Sequence, residues 1–258
     1  MDLCKNCLKP INESQVYCST KCWQEYKGKK ESTKSPFADL SFSQWVWAQA
    51  YSWISIIGMM FSLFFIIILV GSITDVFHYQ ILISTAVLSV FVYLVLRYTN
   101  DSEKLSQLLA FPKTMETWKL IGFAFAVDLF VVKPLNIVFM LEFFPDAQEQ
   151  EVITALQEMS LLSSIITAFS VSILTPILEE LLFRGFILGM FLKCYDNKVA
   201  ILFSAIIFAI VHEPIAIAMA FGIGLIYGWL RVRTGSIIPS MILHAIWNSF
   251  VSILILFL

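Results

Sequence analysis

Charged side chains are scarce in this chain: Asp, Glu, Lys and Arg make up 14% of its 258 residues, and only three histidines are present. Hydrophobic residues reach 59% and the mean hydropathy is +0.81. That balance excludes an ordinary soluble globular domain and points to an all-α polytopic membrane protein. The net charge is −2, so bulk charge identifies no acidic partner, and no nucleic-acid partner is expected. Lys and Arg are missing from two connecting stretches, Gly71 to Gln80 and Glu142 to Ser160. Cysteine is missing between Cys22 and Cys194. The opening Met1-Asp2-Leu3-Cys4-Lys5 has no apolar core, so no signal peptide is expected. No repeat, inverted or parallel, shows in the polar punctuation of the two halves, which weighs against a transporter.

Apolar runs lie at Val46 to Val70, Ile81 to Leu96, Trp118 to Leu141, Leu161 to Leu192, Ala200 to Val211, Ile215 to Leu230 and Ile237 to Leu258. Most are near the ~20 residues that cross a ~30 Å hydrocarbon core. About seven transmembrane helices are therefore expected, the fifth short and the fourth too long for one upright span. Lys and Arg set the orientation. With the N-terminus cytoplasmic, the basic residues outside the spans all fall on the cytoplasmic side, and only Lys133 and Arg184 lie within spans. The two stretches without Lys or Arg become the outer loops, and the second is acidic.

The polar N-terminus holds Cys4-x2-Cys7 and Cys18-x3-Cys22. Thiolates at these spacings can reach one tetrahedral Zn²⁺, and a domain this small has few other ways to hold a fold. Two disulfides are the alternative, but Lys27, Lys29, Lys30 and Lys34 make a basic linker that favours a reducing, cytosolic side. The expected division is a structural-zinc ribbon at 1–26, a basic linker at 27–44, N-terminal membrane helices at 45–114 and a C-terminal membrane core at 115–258. A cytosolic partner for the ribbon is one expectation and a simple folded cap the other.

Inside the apolar run Leu161 to Leu192 the only charged residues are Glu179, Glu180 and Arg184. Ionisable groups at membrane depth are costly and are functional candidates by default. His212, beside Glu213, and His244, four residues before Asn248, complete the set. Residues four apart share a helix face, so Glu180 can meet Arg184, Phe208 lies with His212, and His244 with Asn248. Counting about 1.5 Å per residue from Lys193, Lys198 and Arg233 puts Glu179, His212 and His244 at roughly 21, 21 and 17 Å from the cytoplasmic boundary. Pro176 has no N–H for the Ser172 carbonyl, so the helix is expected to bend or open just ahead of the acids. Asp128 and Lys133, in the third run, are expected to pair with each other or with a neighbouring helix.

A carboxylate beside a histidine can take a proton from water. A second histidine and an asparagine amide can donate to a developing oxyanion. Equally, Glu179, His212 and His244 could hold a divalent metal that activates the water. Both schemes hydrolyse a bond, an amide above all, and no serine or cysteine stands at these positions to act as nucleophile.

Glu179-Glu180-x3-Arg184, Phe208-x3-His212 and His244-x3-Asn248, in this order on successive membrane segments, resemble the three motifs of the CPBP family. That family comprises CAAX proteases and bacteriocin-processing, Abi-like enzymes. The resemblance covers about residues 115 to 258 and implies an α-helical intramembrane endopeptidase of the metallo- or glutamate type. It implies Glu179 as general base assisted by His212, an oxyanion held by His244 and Asn248, and a site shaped by Glu180, Arg184 and Phe208. Its substrates would be membrane-associated proteins or peptides in the bilayer, with CAAX-like C-termini or leader peptides both open. A non-proteolytic bacteriocin self-immunity factor or a membrane scaffold is the alternative reading, and an ion-coupled transporter a third.

Overall fold

The computed structural model describes residues 2–3, 10–11, 42–71, 77–100, 102–145 and 160–257. Cys4, Cys7, Cys18 and Cys22 lie outside them. Near the N-terminus Asp2–Leu3 pairs antiparallel with Pro10–Ile11, Asp2 opposite Ile11. Everything else is helical: α1 (Phe42–Gly71), α2 (Phe77–Thr99), α3 (Ser102–Leu108), α4 (Met115–Phe143), α5 (Leu161–Phe191), α6 (Asn197–Ile210), α7 (Ile217–Thr234) and α8 (Ile238–Phe257). Six of these are long and apolar enough to cross a membrane. The fifth apolar run is the exception. Helix α6 has 14 residues, about 21 Å at 1.5 Å per residue, well short of a ~30 Å core.

The long fourth run is one continuous helix, α5, of 31 residues. Two π-helical stretches, Ser170–Leu174 and Glu180–Ile187, widen it and flank Thr175–Glu179. Helix α4 is widened in the same way at Asp128–Val132. In both helices the first stretch ends two residues before a proline, Pro176 and Pro134. A proline ring crowds the carbonyl four residues back and offers it no N–H. Shifting to i→i+5 bonding relieves this, as the Thr175 N–H on Ser170 O and the Lys133 N–H on Asp128 O show. The expected opening ahead of the acids is therefore a widening, without a break in the helix.

Burial is inverted relative to a water-soluble protein. Phe61, Phe65, Phe130, Leu141 and Ile210 face outward, while Asp128, Glu180 and Arg184 are buried. This is what a hydrocarbon solvent selects, since apolar surface costs nothing there and charge must be enclosed. One end of the bundle collects the basic helix termini. There Trp45 Nε1 donates to Cys194 O (3.2 Å), the Tyr195 hydroxyl to Gln49 Oε1 (2.7 Å), and Ile237 N to Leu108 O (2.9 Å).

Two glycines place α7. Gly235 ends it in the left-handed region (φ 75°), with its N–H on Arg231 O, and turns the chain into α8. Gly224 lets α7 press against α6. A Cβ there would stand 2.9 Å from both Cα and Cβ of Ala205, and a backbone atom cannot swing aside. Gly224→Ala should therefore push the two helices apart and cost about 1–3 kcal/mol, read as a lower thermal midpoint in detergent; an unchanged midpoint would contradict this packing.

Candidate active site

Adjacent residues on a helix point about 100° apart, and Glu179 and Glu180 use that difference. Glu180 turns wholly inward, with no exposed surface. Its Oε1 lies 3.1 Å from Arg184 Nη1, its Oε2 accepts the Ser240 hydroxyl at 2.6 Å, and Oε1 also accepts His244 Nδ1–H at 3.3 Å. Arg184 is 1% exposed, its guanidinium carbon 4.2 Å from the Phe208 ring centroid and 5.2 Å from that of Tyr227. A desolvated cation gains from both aromatic faces as well as from its carboxylate.

Glu179 is different. Its side chain keeps 20% exposure, and its Oε2 lies 3.6 Å from His244 Nε2, too far for a hydrogen bond. That oxygen has no hydrogen-bond partner among the described residues. Since a carboxylate only accepts, the contact with Glu180 fixes the Nδ1 proton of His244 and presents Nε2 to Glu179. The imidazole ring is held by Tyr227, centroids 5.4 Å apart, and edge-on by Phe208 at 6.5 Å.

His212 lies just past the end of α6. Its Nδ1–H donates to Phe208 O at 2.6 Å, and its ring lies 4.5 Å from that of Phe208. A carbonyl can only accept, so Nε2 is the acceptor that His212 retains. Asn248 sits one turn beyond His244, and its Nδ2 donates to Val171 O at 3.0 Å. Val171 lies in the first widened stretch of α5, where its i+5 partner is Pro176, which has no N–H. Asn248 supplies the missing donor and keeps a second N–H.

The motif residues are thus gathered unevenly. Glu179, Glu180, Arg184, Phe208 and His244 form one connected cluster; His212 joins through Phe208, and Asn248 through α5 rather than through His244. The imidazole against Glu179 is that of His244, whereas the resemblance implies His212 as its helper. Among the described residues no group of three or more His, Cys, Asp or Glu is arranged to hold a metal ion.

Sequence reasoning missed two members. Ser240 precedes His244 by four residues, so Ser240, His244 and Asn248 make one face of α8, and that spacing was the available signal. Tyr227 is fully buried, with a hydroxyl that has no hydrogen-bond partner among the described residues. Its only sequence signal was a phenol inside an apolar span. The network predicts that Glu180→Ala, which strands Arg184 in a dry site, costs about 3–5 kcal/mol, whereas Glu179→Ala costs under about 1 kcal/mol. Thermal midpoints of the two variants in one detergent should separate clearly, and equal midpoints would refute the division.

Residues 161–250 match the family model described as Type II CAAX prenyl endopeptidase Rce1-like. Over 86 residues the chain is 31% identical to an uncharacterized 24.3 kDa protein of Escherichia coli, covering 31% of this chain and 40% of that relative. The chain therefore matches less than half the length of this curated relative. No solved structure matches it.

Proposed function

From the Rce1-like CAAX endopeptidase domain that this chain carries at residues 161–250, we propose that the protein is an intramembrane endopeptidase whose hydrolytic water is activated between Glu179 and His244. The observation that carries this reading is the unpartnered Oε2 of Glu179, 3.6 Å from a His244 Nε2 whose other nitrogen is tied to Glu180. That oxygen is itself closed off from solvent, so a shift of the Glu179 side chain, which keeps 20% exposure, admits a water that donates one O–H to each atom and turns its lone pair outward.

Attack on the scissile carbonyl forms the C–O bond while Glu179 takes the water's proton. The second N–H of Asn248 is a donor available to the oxyanion, and His212 keeps Nε2 free to accept a proton. When the tetrahedral intermediate collapses, the C–N bond breaks and the leaving amine takes the proton from Glu179. Glu180 and Arg184 are positioning residues. They fix the imidazole and do not touch the reacting atoms.

The gathering of the basic helix ends supports a cytoplasmic entrance and N-terminus for this multi-pass protein. CAAX-like C-termini and leader peptides are both admissible substrates for such a site. The zinc ribbon rests on the spacing of Cys4, Cys7, Cys18 and Cys22 alone, and elemental analysis tests it: one zinc per chain, lost in Cys4→Ser.

Glu179→Gln preserves shape and removes the base, so kcat/KM for peptide cleavage should fall by about 10²–10⁴ while the protein remains folded and membrane-inserted. Cleavage at the wild-type rate would overturn the proposal. A membrane scaffold or immunity protein would keep its function in the same variant.

A further inference from the structure

Apart from the hydrolytic cluster, a cavity of about 470 Å³ lies between α1, α2 and α5, a size within the ~300–1,000 Å³ of ligand sites. None of its lining residues belongs to the Glu179–His244 cluster. Met59, Phe91, Val95, Phe186 and Met190 make its apolar wall. Along α1 it runs from Tyr51 to Ser62, about 16 Å at 1.5 Å per residue. That is close to the depth of one leaflet, half of a ~30 Å hydrocarbon core. Tyr51 and Tyr98 flank it with 64% and 92% exposure, so the cavity opens to the outside of the bundle.

One end of this cavity is polar, and it is the end that collects the basic helix termini. Trp45 Nε1 on Cys194 O brings the start of α1 to the residue after Lys193. Lys193 is exposed, and its ammonium meets only Met190 Sδ, at 3.7 Å, a weak acceptor. The hydroxyls of Tyr51, Ser55 and Tyr98 line the same cavity and have no hydrogen-bond partner among the described residues. Acid is missing here: neither α1 nor α2 contains an Asp or Glu. Asp196, three residues past Lys193, turns its Oδ1 to the Lys198 and Val199 N–H groups at the start of α6. The rim therefore offers one cation and three hydroxyls with no anion to satisfy them.

We infer that this cavity binds an anionic phospholipid from the leaflet at the basic end, with its phosphodiester on Lys193, Tyr51 and Tyr98 and one acyl chain along Met59, Val95 and Phe186. The inference does not depend on the hydrolytic reading. A phosphodiester supplies the acceptor oxygens that the rim lacks, and with Lys193 its hydrogen bonds are charge-assisted. A soluble phosphate would satisfy the rim and leave the apolar wall bare, whereas an uncharged chain would cover the wall and leave the ammonium without an acceptor. A zwitterionic headgroup brings a cation of its own to a rim that already carries one, so a lipid of net negative charge fits best. Such a lipid joins α1 and α2 to α5 and ties the N-terminal helices to the helix that carries Glu179.

The test is native mass spectrometry of the full chain, delipidated in detergent and given dioleoyl phosphatidylglycerol or dioleoyl phosphatidylcholine. Wild type should retain one phosphatidylglycerol with an affinity about fivefold above phosphatidylcholine, the effect of one lysine at a membrane surface, and its thermal midpoint should rise with that lipid. Lys193→Gln should abolish the preference. Ser55→Trp, which fills the cavity from α1, should remove the retained lipid, and lipid-free midpoints like that of wild type show that these variants fold. Lys198→Gln, at the same end of the bundle but outside the cavity, should bind as wild type does. Equal retention of the two lipids by wild type, a preference that survives Lys193→Gln, or an equal loss in Lys198→Gln overturns the assignment. Inorganic phosphate that raises the wild-type midpoint as much as the lipid does would leave an anion site alone. Displacement of the lipid by an equal concentration of an uncharged long-chain alcohol would leave a groove for apolar chains alone, and either result overturns the assignment as well.

Discussion

The buried contact between Glu180 and Arg184 is the constraint on which the rest of the site depends. Neither group could sit at this depth alone, because each would carry an uncompensated charge into a medium that solvates it poorly. Together they recruit what the pair still needs: the hydroxyl of Ser240, the imidazole of His244, and the faces of Phe208 and Tyr227. These partners come from α6, α7 and α8, so satisfying one ion pair on α5 fixes three other helices around it. The position of His244 follows from this electrostatic requirement.

Two adjacent glutamates on one helix then do unlike jobs. Glu180 accepts hydrogen bonds from Ser240 and His244 and is paired with the Arg184 charge, which makes it a poor base and a good anchor. Glu179 points about 100° away, remains partly exposed, and faces the nitrogen that Glu180 has left available. The helix widens from Glu180 onward. A π stretch changes the angular step between successive side chains, and such stretches recur at functional sites for that reason.

Much of this was legible in the chain. Charge inside an apolar run marked Glu179, Glu180 and Arg184, and i,i+4 spacing anticipated the contact of Glu180 with Arg184. Spacing along one helix says nothing about neighbours on another, so the choice of His244 over His212 beside Glu179 could not be read. Ser240 obeyed the right period, yet serine is unremarkable in a membrane helix and carries no charge to flag it. The depth count for His244 went astray for a simpler reason. It included the turn residues after Thr234, and α8 starts at Ile238, so His244 lies six residues, about 9 Å, inside its helix. Asp128 and Lys133 were legible as a pair, but their place beside Trp247 required the fold.

The prolines show how a local covalent fact becomes a tertiary one. Pro176 withholds an N–H from α5, and the helix answers by widening, which still leaves Val171 O without a main-chain donor. That carbonyl draws in Asn248 from α8 (3.0 Å), and the Ser172 hydroxyl reaches back to Ser252 at 2.9 Å. In a bilayer an unsatisfied carbonyl costs several kcal/mol, so the bond to Asn248 locks α8 in register with α5 about two turns before Glu179. The same α8 carries Ser240 and His244 to Glu180. Pro176 and the ion pair thus act on one helix from two ends, one through a missing proton on the backbone and the other through a buried charge, and between them they leave His244 little freedom except to face Glu179.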